Sequence, residues 1–246
     1  MAEKKQGKRS SEAAEQTKCQ ILIIAAGMFC QLGYERVSLR NISEKAGVSH
    51  SLIRHHFGSK DMIWKEISDA CDAHMQNYLH AIIASLPEDK TPSYRIYLFI
   101  VKLSAFTLIN PQPIQMIADA IRQDDNALLE YFLKTKCEFE AIFEGLFEEY
   151  NQANPEVKLD IWETKWQMLI FAHGASSLTP MMAETWPLFA GDHEKLLLQH
   201  WNLFNQIMAA KFSIEKEETL NPKYLKDLLI DVKCPLENKN ILNSDK

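Results

Sequence analysis

Residues 38–60 read SLRNISEKAGVSHSLIRHHFGSK, and their spacing predicts two short helices around a tight turn. Ile42 and Ala46 stand four apart and share one face of the first helix. Gly47 follows, the residue that tolerates the positive φ of a sharp turn, and Val48 tucks beneath it. Ser49 is an N-cap for the second helix, whose inward face is Ile53 and Phe57. That leaves His50, Ser51, Leu52, Arg54 and His55 outward or along the rim. A helix this short does not hold itself together in water, so it must be docked on something. Its outer face is small, polar and cationic, which suits the floor of a DNA major groove better than an apolar partner. The pair reads as a helix-turn-helix.

Upstream, residues 21–39 read ILIIAAGMFCQLGYERVSL, and downstream, residues 55–64 read HHFGSKDMIW. With RNISEKAGVS between them, residues 17–64 resemble the N-terminal domain of the TetR family of bacterial transcriptional regulators. Ile21, Leu22, Ala25, Ala26, Phe29 and Gly33 match the family's first helix. One departure is Arg54, which stands where the family usually has Tyr; Arg binds phosphate at least as well. The resemblance implies DNA contacts by role. Ser38 and Arg40, opening the first helix of the pair, would meet the phosphate backbone. His50, Ser51 and Leu52, behind the Ser49 cap, would reach base edges, and Arg54, His55 and Lys60 would flank them on phosphates. It also implies that the last two long helices pair with their mates in a four-helix homodimer interface.

Composition agrees. Few glycines (eight of 246 residues) and no strand-like alternation predict an all-α class, and 46% hydrophobic residues suffice for a packed core. Five scattered cysteines, Cys19, Cys30, Cys71, Cys137 and Cys234, read as reduced thiols. The sequence shows no apolar run long enough for a membrane span and its start is charged, so a cytoplasmic protein is expected. The net charge of −6 is unevenly placed: residues 1–60 carry ten Lys/Arg against five acids, +5, leaving −11 elsewhere. A basic module on an acidic body favours local phosphate binding and limits indiscriminate sticking.

Four segments are expected: a flexible basic arm over 1–16, the helix-turn-helix domain over 17–62, a helical ligand-sensing and dimerisation domain over 63–212, and a C-terminal extension over 213–246. Helix 1 is expected from Glu15 to Leu32, and a long helix from Ser59 to about Ile83 as the link between domains. Further helices are expected at Ser93–Ile109, Ile114–Gln123, Ala127–Asn151, Asp160–Leu178 and His193–Phe212, with a short one at Lys223–Val232. In the larger domain Phe99, Phe106, Met116, Arg122, Trp166, Phe171 and His173 are candidates to line a small-molecule pocket. The residues carry no hydrolase, P-loop, dinucleotide or zinc-protease motif. Cys71, His74 and His80 are too loosely spaced for a metal site. Neither an enzyme nor a cofactor is expected. The reading is a ligand-responsive regulator, a repressor released from operator DNA by a small molecule; the alternative is a DNA-binding adaptor controlled by a protein partner.

Overall fold

The computed structural model describes residues 3–134 and 139–236, so Cys137 lies outside the described residues. Among these there are eleven α-helices and no strand; the class is all-α. The chain divides into two compact units, one of residues 1–74, 116–136 and 233–246, the other of residues 75–115 and 137–232.

The first unit begins with α1 (Glu3–Leu32), which starts earlier than expected and is helical through most of the stretch read as a flexible arm. Ala13, Ala14, Glu15 and Gln16 are strong helix formers and extend the helix without tertiary help. Side chains before residue 13 lie outside the described residues. Then come α2 (Leu39–Ala46), α3 (His50–Phe57), the first part of α4 (Lys60–Ala84), the end of α6 (Gln112–Ala120) and α7 (Ala127–Lys134). Ile21, Ile42, Ile53, Ile63 and Ile67 are completely buried in its core. Each such side chain contributes roughly 1.5–3 kcal/mol, which is what holds α2 and α3, eight residues each, in helical form. Met116 and Ala120 of α6 and Leu128 and Phe132 of α7 join the same core.

The second unit is built around α5 (Pro92–Ile109), with α8 (Phe139–Ala153), α9 (Ile161–Ser177), α10 (Thr179–Thr185) and α11 (His193–Lys211). By length and composition α5 could cross a membrane, but Ile96, Tyr97, Ile100 and Val101 are fully buried in this core. Trp201 of α11 is also fully buried, and its Nε1–H donates to the Val101 carbonyl at 2.8 Å. The single helix expected over Ala127–Asn151 is two helices, α7 in the first unit and α8 in the second. Their apolar residues serve different cores: Leu128 and Phe132 one, Leu146, Phe147 and Tyr150 the other. Nor is α4 the only covalent link, because the chain passes between the units at 74/75, 115/116, 136/137 and 232/233.

Residues 213–232 differ most from expectation. In place of a helix over Lys223–Val232 there is one 3-10 turn, Leu225–Leu228. Leu225 is buried and Leu228, Leu229 and Ile230 pack on the core, a bunched apolar run without helical period. A buried network fastens this segment. The Tyr97 hydroxyl donates to Asn205 Oδ1 at 2.7 Å and accepts from the Leu220 N–H at 2.9 Å. Asn205 Nδ2 donates to the Leu220 carbonyl at 2.8 Å. Asn205→Ala leaves buried groups unpaired and is expected to destabilise the protein by about 1–3 kcal/mol, read as a lower urea midpoint and faster proteolysis after Phe212. An unchanged midpoint would mean that the network does not fasten the segment.

Candidate DNA-binding site

The helix-turn-helix is capped at each junction. Ser38 caps α2: its hydroxyl accepts from Asn41 N–H at 3.2 Å, while Asn41 Oδ1 accepts from Ser38 N–H at 3.0 Å. Gly47 ends α2 at φ 65, a left-handed geometry that a Cβ would strain, and Val48 N–H closes back on the Ser43 carbonyl at 3.1 Å. Ser49 caps α3, accepting from Leu52 N–H at 3.1 Å. Ile53 and Phe57 point into the core, and this fixes the rotation of α3. His50, Ser51, Arg54 and His55 are consequently exposed and Leu52 half-exposed.

These outward residues sit together on one short, rigidly seated helix, the arrangement that lets side chains reach base edges while neighbours hold phosphates. Arg40 is exposed beside them and pairs with Glu44 at 2.9 Å, a surface pair worth little in water and readily exchanged for a phosphate. Lys60 has partners within the chain. It is half-buried, its ammonium donating to the Tyr34 carbonyl at 2.9 Å and lying 3.8 Å from the Tyr34 ring centroid. His56 is half-buried beside Phe57, ring centroids 6.0 Å apart.

The seven pocket candidates are not gathered around one cavity. Phe99 and Phe106 are core residues of the second unit, whereas Met116 belongs to the core of the first. Arg122 and His173 are exposed, and Trp166 leaves 63% of its surface bare. Phe171 packs on Phe204, centroids 4.5 Å apart. The physical reason is that an aromatic at helical spacing has three destinations, core, pocket or subunit face, and periodicity does not tell them apart. A cleft of about 140 Å³ in the second unit is lined instead by Thr107, Gln115, Ser176, Thr179, His193 and Leu197, among others. That volume is well below the roughly 300–1,000 Å³ of drug-sized ligand sites.

A second surface lies on α9 and α11. They run antiparallel: Phe171 packs on Phe204, the Phe171 carbonyl is 2.9 Å from His200 Nε2, and Lys211 reaches Gln167 at 3.4 Å. Along α9, Trp162, Trp166 and Ile170 recur every fourth residue and are 51–63% exposed. On α11, Leu203 and Ile207 are 46% and 44% exposed. A contiguous apolar face of this kind marks an interaction surface.

A capped helix-turn-helix presenting a polar, cationic helix on an all-helical body defines a DNA-binding transcriptional regulator. Residues 21–67 match the family model of bacterial regulatory proteins, tetR family. No curated protein matches its sequence. Among solved structures it is similar to the transcriptional regulator FadR from Bacillus subtilis in complex with stearoyl-CoA (TM-score 0.54, 18% identity, 79% of this chain and 97% of that one). It is also similar to the ketosteroid transcriptional regulator KstR2 of Mycobacterium tuberculosis (TM-score 0.51, 17% identity, covering 63% and 81%). At these identities the likeness is one of fold.

Tyr34 and Asp61 lie within the matched residues, whereas Asp119 lies outside them and no motif announces it. Asp119 lies 85 residues from Tyr34 in sequence, and only the fold brings them together.

Proposed function

We propose that the chain is a cytoplasmic, homodimeric repressor that binds a palindromic operator and is released from it by a small molecule held in the second unit. The observation that carries the DNA-binding part is the exposed face of α3, His50, Ser51, Arg54 and His55, on a helix whose rotation is fixed by Ile53 and Phe57. The apolar face of α9 and α11 supports the dimer. A relative in fold that binds stearoyl-CoA supports a small-molecule effector. One observation favours the second reading, control by a protein partner: the candidate pocket residues do not converge on one cavity.

The test is selection of bound duplexes from a random pool. One recognition helix spans only a few base pairs, so the enriched sequence is expected to be a palindrome with half-sites about 34–36 Å apart or somewhat more. Absence of any enriched sequence, or a single asymmetric half-site, would overturn the reading. An effector that releases the operator must itself bind the operator complex more weakly by the same factor. Release by a protein-free metabolite extract would support the small-molecule form, and release only by a protein fraction the alternative.

A further inference from the structure

We infer that Asp119, at the end of α6, is a positioning residue for DNA binding, acting through Tyr34 on the exit of the recognition helix. Tyr34 forms the turn after α1, and each of its polar groups is held by a side chain from elsewhere in the first unit. Its N–H donates to Asp119 Oδ2 at 2.7 Å. Its carbonyl accepts from the Lys60 ammonium at 2.9 Å, and its hydroxyl donates to Asp61 Oδ1. Burial, followed by that bond to Asp61, pushes the phenol well above its ordinary range, so it remains a donor. The residue is 8% exposed, and its ring packs at a tilt on Phe29, centroids 5.7 Å apart.

Lys60 and Asp61 are the first residues of α4, and only Gly58 and Ser59 separate α4 from α3. Gly58 has φ 74, a geometry with few alternatives for a side chain but many for glycine, so this junction needs outside support to hold one angle. Tyr34 supplies it, and Asp119 in turn fixes Tyr34. The carboxylate is itself held: Gln123 Nε2 donates to Asp119 Oδ2 at 3.3 Å and to its carbonyl at 3.2 Å. Its fit against the turn is close. A Cβ built on Gly33, at φ 81, would stand 2.9 Å from Asp119 Oδ1, so a larger residue there would be strained and would displace the carboxylate.

The charge is informative as well. Asp119 lies beside the C-terminal end of α1, where the helix dipole disfavours an anion. An amide would accept the same hydrogen bond without that cost, so helix stability alone does not call for aspartate. A charged acceptor gives a stronger, shorter bond to the Tyr34 N–H, which serves geometry.

This inference rests on the DNA-binding reading, and its test is scored relative to wild type on a duplex that wild type has selected; failure of selection itself would count against that reading alone. Affinities of full-length wild type, Asp119→Ala, Asp119→Asn and Tyr34→Phe are measured for the selected duplex and for a scrambled one of equal length, with thermal midpoints alongside. Asp119→Ala and Tyr34→Phe are expected to lose at least about tenfold on the selected duplex, the equivalent of a base contact going out of register. Both should stay within about threefold of wild type on the scrambled one, where phosphate attraction dominates. Asp119→Asn, which keeps an acceptor but loses the charge, is expected to bind the selected duplex better than Asp119→Ala and less well than wild type. For Asp119→Ala and Tyr34→Phe, selected-duplex affinity within about threefold of wild type, or equal losses on both duplexes, overturns the inference. Should Asp119→Ala fail to fold, Tyr34→Phe decides by the same criteria.

Discussion

If the chain is the homodimer proposed above, Trp166→Glu is expected to convert it into a monomer and to abolish tight operator binding. In the single chain Trp166 is 63% exposed and continues a stripe through Trp162 and Ile170, bordered by Leu203 and Ile207 of α11. A two-fold interface places the same patch on both subunits, so each substitution acts twice. Truncating a central Trp typically costs 2 kcal/mol or more per copy, and a carboxylate adds the cost of burying charge. Together these predict a dimerisation constant weaker by about a thousandfold or more. Operator affinity should fall in parallel, because two recognition helices must engage two half-sites at once. Sedimentation equilibrium and a mobility-shift titration on the selected duplex check this. The monomer itself should melt as before, since the ring contributes little to its own chain's core. An unchanged dimer mass would remove α9 from the interface.

Arg54→Ala should weaken binding to every sequence alike, whereas His50→Ala should alter which sequence is preferred. Arg54 is exposed on α3 two residues past Leu52, and His50 is the first residue of the helix behind the Ser49 cap. A guanidinium on a phosphate releases about one counterion, so removing it from both subunits should lower the slope of log K against log salt by roughly 1.8 units per dimer. Affinity near physiological salt should drop about ten- to hundredfold. For His50→Ala the expected result is relaxed discrimination at one or two base pairs in each half-site, with the salt slope retained. If Arg54→Ala redirects sequence preference at constant slope, the two roles are exchanged.

The DNA-binding unit was legible because its determinants are local. Ser38, Gly47, Ser49, Ile53 and Phe57 act over separations of three to five residues, where helix period, capping and a positive-φ glycine dictate the backbone. The last two long helices were legible for the same reason, with ends within one residue of expectation, where Asp160 and Asp192 cap them. Helix α1 ran on past its expected start because Ala, Glu and Gln favour helix even where no hydrophobic face demands it.

Destination is not local. The aromatic stripes of α5 and α9 look alike in sequence, yet Phe99 is buried in the core and Trp166 stands in the open. Lys60 reads as a phosphate contact, and only the fold shows that the Tyr34 carbonyl, 26 residues earlier, also accepts from its ammonium. Residues 127–134 and 139–153 read as one helix until two different cores divide them. The sequence by itself determined an all-helical chain with a recognition helix of known face, since periodicity and caps encode secondary structure and its orientation. Only the tertiary structure decided that α6 and α7 complete the DNA-binding core, that Asp119 grips the turn after α1, and that residues 213–232 are fastened through Asn205. These depend on side chains tens of residues apart meeting in space, and the pattern of a single stretch does not contain its partner.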